Sequence, residues 1–327
     1  MRTLIVFIIF ILLLGQLTAR VDFFKTIYLL DLVTNLQMQL AFFSVFLSLI
    51  LGFWNRSLMF ILIIVNALVI IANFNGYIAV DLLPDEKYQI KESFEEQHLT
   101  VVQFTFDDEV SDSLDSIYEK LNALDKDITV LFNVTELHKT RLQTLSNGKY
   151  SYGLSKKVSL PSNIAVITKF PINSKRRNTF LDERGDILEL NILFNKQTVK
   201  LLVMHPPKPK SKLNWQRKNL MINTLETMES NTENVSPYTI VIAELYTSIW
   251  SGNFPKLDNL ITCSYAQGVY GNWFANHYLK IFGNFGAINT SHCFFSYRFK
   301  IENLESELVD KSLNNFVSYV LIMKEAN

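Results

Sequence analysis

The first 80 residues constrain this chain more than any other stretch. Leu4 to Leu14 is an almost unbroken run of Leu, Ile, Val and Phe behind Arg2. From Met1 to Val80 there are only four Lys/Arg and two Asp/Glu. Apolar runs of about 20 residues match the ~30 Å hydrocarbon core of a bilayer. The spacing predicts about three transmembrane helices, near Thr3 to Ala19, Met38 to Trp54 and Leu58 to Phe74, so residues 1–80 read as a membrane anchor. Thr18, Ala19 and Arg20 make a poor small-x-small site, which favours an uncleaved first span over a secretory signal peptide. Val21 to Gln37 carries Asp22, Lys25 and Asp31 among apolar residues and reads as an interfacial amphipathic segment. Asn66 lies within the third run, where a neighbouring helix is expected to satisfy its amide.

Arg2 and Arg56 fall on one side of a three-span anchor, which the positive-inside rule places in the cytoplasm. The rest of the chain then lies outside, in the periplasm of a bacterial inner membrane. Arg20 and Lys25 sit on the opposite side and count against that orientation.

Beyond residue 80 the chain carries 27 basic and 29 acidic residues, a net charge of −2. Near-neutrality argues against nucleic acid as a partner, because binding the phosphate backbone calls for a net basic footprint. A polar, charged connector occupies 81–98, and from 99 to 327 short β runs alternate with helical periodicity. Strands are expected at Leu99 to Phe106, Asp127 to Val134, Asn163 to Thr168, Ile187 to Phe194, Thr198 to Met204, Thr239 to Ile242, Phe294 to Phe299 and Val317 to Met323. Helices are expected at Ser111 to Asp125, Thr135 to Leu145 and Trp215 to Met228. This succession defines an α/β domain of packed sheets flanked by helices. Cys263 and Cys293 show no zinc spacing; two buried thiols or one disulfide both fit. No P-loop, GxGxxG or nucleophile elbow is present.

Four stretches in order carry a family likeness. Asp127 to Val134 reads D-I-T-V-L-F-N-V, and Ser162 to Ile172 reads S-N-I-A-V-I-T-K-F-P-I. His205 to Pro209 reads H-P-P-K-P and is followed by Trp215 and Arg217, and Tyr238 to Ser251 ends in S-I-W-S. Together they resemble membrane-anchored bacterial members of the endonuclease/exonuclease/phosphatase family. The resemblance implies N-terminal transmembrane helices followed by a DNase I-like four-layer α/β sandwich. It also implies hydrolysis of phosphate esters with Mg²⁺ held by carboxylate and amide oxygens and a histidine handling the proton.

Carried onto this chain, the family's ligands are mostly replaced. The first-strand Asn falls on Thr105 and the metal-binding Glu on Asn133. The Asp and Asn of the G-D-F-N box fall on Glu244 and Tyr246, and the late Asp-His pair falls on Ser291 and His292. The terminal S-D-H box is matched by Asn314 to Phe316, so that Asn315 and Phe316 replace the Asp-His couple. His205, Glu244 and His292 survive as candidate catalytic positions, and Glu244 as the one anionic metal ligand. Loss of the general base alone removes roughly 10²–10⁴-fold in rate. The implied function is therefore a membrane-tethered, catalytically degenerate domain, needing no cofactor and binding a protein partner or an anionic phosphorylated ligand beside the lipid bilayer. The alternative is an active Mg²⁺-dependent phosphodiesterase or phosphatase with a rearranged site. Lys208, Lys210, Lys212, Arg217 and Lys218 form a basic run suited to phosphate or lipid headgroups, with a solvated loop as the plainer reading.

Overall fold

A computed structural model of the chain describes residues 2–17, 22–81, 97–107, 114–154, 163–180, 185–230, 236–257, 259–263 and 271–323. It divides into two compact units: Met1–Gln89 with Thr247–Phe254, and Ile90–Tyr246 with Pro255–Asn327.

The first unit contains α1 (Arg2–Leu17), a short 3-10 helix (Asp22–Thr26), α2 (Tyr28–Thr34), α3 (Gln37–Leu51) and α4 (Arg56–Asp81). Its interior mixes apolar and polar side chains: Ile9, Leu13 and Leu51 pack together there. Gln16, Asp31, Ser44, Ser48 and Asn66 are fully buried. Leu4, Phe7, Phe10, Phe60 and Leu68 are more than half exposed. The buried polar groups bond mostly to backbone: Gln37 donates to the Gly15 carbonyl at 3.2 Å and Ser48 to the Ser44 carbonyl at 2.7 Å. Asn66 departs from expectation, donating to the carbonyl of Leu62 in its own helix at 2.8 Å.

The three expected spans are not shown by the described helices. Among the described residues no single helix is long and apolar enough to cross a membrane. The 16 residues of α1 reach about 24 Å at 1.5 Å per residue, short of a ~30 Å hydrocarbon core. The stretch Arg56–Ile71 is likewise a shorter apolar helix. Tyr28–Thr34 and Gln39–Leu51 pass together as a pair bent by 68°. The segment expected to lie along an interface is thus a folded part of the unit. Asp31 accepts a hydrogen bond from the Ser251 hydroxyl at 2.6 Å. The Asn35 side-chain oxygen accepts one from the Ser248 backbone at 2.6 Å, and Asn253 donates to the Lys25 carbonyl at 2.9 Å.

The second unit holds two six-stranded sheets. One runs β11 (Phe299–Glu307), β12 (Phe316–Met323), β1 (Gln97–Thr105), β2 (Ile128–Phe132), β4 (Ile164–Thr168), β3 (Tyr150–Tyr152). The other runs β5 (Ile172–Phe180), β6 (Gly185–Phe194), β7 (Gln197–His205), β8 (Thr239–Glu244), β10 (Ser291–Ser296), β9 (Leu260–Thr262). β1–β2 and β7–β8 are parallel and the remaining pairs antiparallel. Alternate residues of both sheets, among them Val101, Val130, Leu190, Leu201 and Ile242, form one buried core. Helices α5 (Leu114–Leu124) and α6 (Glu136–Leu145) bury Ile117, Leu121 and Leu142 against Phe104 and Phe106 on the far face of the first sheet. Helix α7 (Lys212–Ser230) lies against β6, where Gly185 makes room for Met221: a Cβ there meets the Met221 sulfur at 2.4 Å. Cys263 and Cys293 form a disulfide inside the core, with Cα atoms 5.4 Å apart.

Two local features differ from the sequence reading. The β6–β7 turn is Asn195-Lys196, with φ of 48° and 67°, where strand spacing in the sequence suggests Lys196-Gln197. Two positive φ values side by side fit the right-handed twist of a two-residue hairpin. The run Phe294 to Phe299 is not one strand; it breaks after Ser296 and resumes as β11.

Candidate functional site

Strand alternation decides which residues reach the space between the sheets, because successive side chains point to opposite faces. Ile240 and Ile242 of β8 lie in the intersheet core, so Glu244 continues that face. Glu244 is fully buried. Its Oε2 accepts the Thr105 hydroxyl at 2.7 Å and the Ser291 hydroxyl at 2.5 Å. Asn272 organises the next layer, its Oδ1 accepting the backbone N–H groups of Thr290 and Ser291 at 2.8 and 3.0 Å. Asn315 joins that layer, its backbone donating to the Asn272 carbonyl at 2.7 Å. The expected positions Thr105, Glu244, Ser291 and Asn315 therefore converge on one buried polar network with a single acidic member.

Two other expected positions point elsewhere. Cys293 and Phe295 face the core, so His292 lies on the opposite face of the sheet, fully buried but turned from the network. Phe316 belongs to the helix-side core, its ring 4.5 Å from that of Phe104. Neither stands where a proton-handling group at this network must stand. Asn133 adopts φ 57° and donates to the Phe106 carbonyl at 2.9 Å, closing the turn after β2.

Beside the network opens a cavity of about 210 Å³ lined by Asn133, Asn163, His205, Lys208, Lys210 and Tyr246, with Pro206, Pro207 and Asn214. Tyr246 holds a left-handed backbone, φ 49°, which costs a residue with a Cβ about 1–2 kcal/mol. In that conformation its hydroxyl meets His205 Nε2 at 3.0 Å. Lys208 Nζ lies 5.8 Å from the centre of its ring. Phe132 flanks the imidazole, ring centroids 5.5 Å apart. Of the basic run, Lys208 and Lys210 line the cavity, whereas Lys218 is fully buried in α7. The reading of the sequence missed Asn272 and Asp186. Neither sits in a recognisable motif, and register alone reveals Asp186 as the cross-strand partner of His205.

No family model matches the sequence, and no curated protein matches it. Solved structures do match by fold. D. rerio TDP2, complexed with a single-strand DNA product, is 10% identical, with a TM-score of 0.55 over 69% of this chain and 99% of that one. An endonuclease/exonuclease/phosphatase family protein from Bacteroides thetaiotaomicron is 11% identical, with a TM-score of 0.51 over 71% and 100% of the two chains. A mannosyl-6-phosphatase from the same organism is 12% identical, with a TM-score of 0.50 over 69% and 100%. The second unit thus has the DNase I-like fold of the endonuclease/exonuclease/phosphatase proteins.

The divalent cation implied by that fold does not fit the residues present. A hard cation of this kind takes several oxygen ligands, with carboxylates prominent among them. Here Glu244 is the one acid of the network, and the hydroxyls around it spend their protons on its Oε2. Among the described residues no three His, Cys, Asp or Glu side chains come together.

Proposed function

We propose that this protein is a membrane-tethered DNase I-like domain that has lost metal-dependent hydrolysis and binds a phosphorylated ligand in the cavity of His205, Lys208, Lys210 and Tyr246. The observation that carries this reading is the state of Glu244. The one acid at the old catalytic position is buried under two hydroxyls, while the groups facing the neighbouring cavity are lysines, amides and an imidazole. Such a wall suits an anion and offers a cation little. A small phosphorylated ligand is favoured over a polyanion because the chain beyond residue 80 is close to neutral.

Membrane tethering is supported by the exposed Phe and Leu side chains of the first unit, such as Leu4, Phe7, Phe10, Phe60 and Leu68. An aqueous exterior disfavours that arrangement by roughly 25 cal/mol for each Å² of apolar surface it wets. The Cys263–Cys293 disulfide supports placing the domain on the oxidising, periplasmic side of a bacterial inner membrane.

Incubation with bis(p-nitrophenyl) phosphate and Mg²⁺ or Mn²⁺ is expected to give no hydrolysis above background. Inorganic phosphate is expected to perturb the His205 imidazole resonances, and Lys208→Ala with Lys210→Ala to abolish that response. Metal-dependent hydrolysis that disappears in Glu244→Gln overturns the reading in favour of a rearranged phosphodiesterase. Release from membranes by alkaline carbonate overturns the tether.

A further inference from the structure

The β6–β7 ladder pairs nine residues without a bulge, from Phe194↔Gln197 to Asp186↔His205. Its alternate pairs Leu188↔Val203, Leu190↔Leu201 and Ile192↔Val199 all lie in the intersheet core. Asp186↔His205 is the next pair on that face, at the end where the cavity opens. Directly opposed residues of an antiparallel pair have Cβ atoms about 4.5–5.5 Å apart. Asp186 is 4% and His205 7% exposed, so both polar side chains have been taken from water together. His205 Nε2 meets the Tyr246 hydroxyl at 3.0 Å, and both rings line the cavity.

We propose that Asp186, His205 and Tyr246 form a hydrogen-bonded row that makes binding of a tetrahedral dianion, the phosphate group of a phosphomonoester, depend on uptake of one proton. This rests on the phosphate-binding reading above. Asp186 is the positioning residue: it accepts Nδ1–H and leaves Nε2 to face Tyr246. With the imidazole neutral, Nε2 accepts the Tyr246 O–H, and the phenol presents only lone pairs to the cavity. An anion meeting those lone pairs is repelled. When Nε2 takes a proton from solvent it donates to the Tyr246 oxygen, and the Tyr246 O–H turns outward to donate to the anion. One proton enters, no covalent bond changes, and the wall switches from acceptor to donor.

Other charged or titratable groups surround this row. Lys208 and Lys210 face the same cavity from the loop after β7. Glu244 stands on the same face of neighbouring β8, with Oε2 held by Thr105 and Ser291. From β2, Phe132 contributes an apolar wall. Imidazole is the side-chain type of this row whose ordinary titration range falls near neutral pH.

The test is calorimetric titration of the detergent-solubilised full chain with sodium sulfate, a tetrahedral dianion that does not titrate between pH 6 and 8. Buffers of different ionisation enthalpy report the protons taken up. Uptake approaching one proton per sulfate is expected at the upper end, with affinity falling up to tenfold per pH unit. In ¹⁵N spectra the ligand-free His205 is expected as the Nδ1–H form, and Asp186→Asn to release the Nε2–H form. Sulfate binding of equal strength at pH 6 and 8, or proton uptake that persists in His205→Gln, overturns the row and leaves the anion pocket standing. Absence of both sulfate and phosphate binding at every pH overturns the pocket itself.

Discussion

Glu244 combines full burial with two hydroxyl donors on one oxygen. Its other oxygen, Oε1, makes no hydrogen bond among the described residues. A buried acid in that setting is held by its donors, and removing one leaves polar surface unsatisfied at about 1–3 kcal/mol. Thr105→Val preserves shape and deletes one donor, so urea unfolding should show a loss of that size with an unchanged m-value. An unchanged midpoint would mean that Thr105 does not support Glu244. The family likeness pointed to Glu244, Thr105 and Ser291, which share one hydrogen-bonded network, and to His292 and Phe316, which lie on the other faces of their sheets. Facing depends on register, which spacing along one strand does not give.

At the scale of elements, α6 begins with a capping box in which His138 replaces the usual Glu or Gln. The Thr135 backbone donates to His138 Nδ1 at 3.0 Å, and the ring stacks on Phe106 at 4.0 Å. Burial holds the imidazole's pKa below its ordinary 6.5. The unfolded chain therefore binds a proton first. Stability is complete above the unfolded value, falls as pH drops through it, and levels off below the lowered folded value. His138→Gln keeps an acceptor that does not titrate. Thermal melts from pH 7 to 5 should fall less steeply in this variant, and parallel curves would remove His138 from the acid response. Strands were legible where apolar residues are dense. Edge strands β5 and β11 were not, since I-N-S-K-R-R-N-T-F and F-K-I-E-N-L-E-S-E are polar and charged. Charge on an outer strand discourages pairing with another chain, which fits Lys175 and Arg176 on β5.

At the scale of the molecule, the disulfide closes a 30-residue separation within the core of the second unit. Constraining a loop of that length contributes about 2–4 kcal/mol. Replacing Cys263 and Cys293 together by Ala should lower stability by that order. Intact mass should rise on reduction and alkylation under denaturing conditions; an unchanged alkylation pattern without reductant would show free thiols. The first unit is discontinuous. Thr247–Phe254 completes it through Ser248, Ser251 and Asn253, which bond Asn35, Asp31 and Lys25 from more than 200 residues away.

The sequence by itself determined the apolar N-terminal region and the α/β succession, because composition and periodicity act locally. Only tertiary structure decided that Asp31 is capped by Ser251, that Asp186 stands across from His205, and that Glu244 lies beneath two hydroxyls. Each of these depends on register between distant strands or on a chain return over long separation. No local pattern encodes them, since the partners meet only after the sheets have paired.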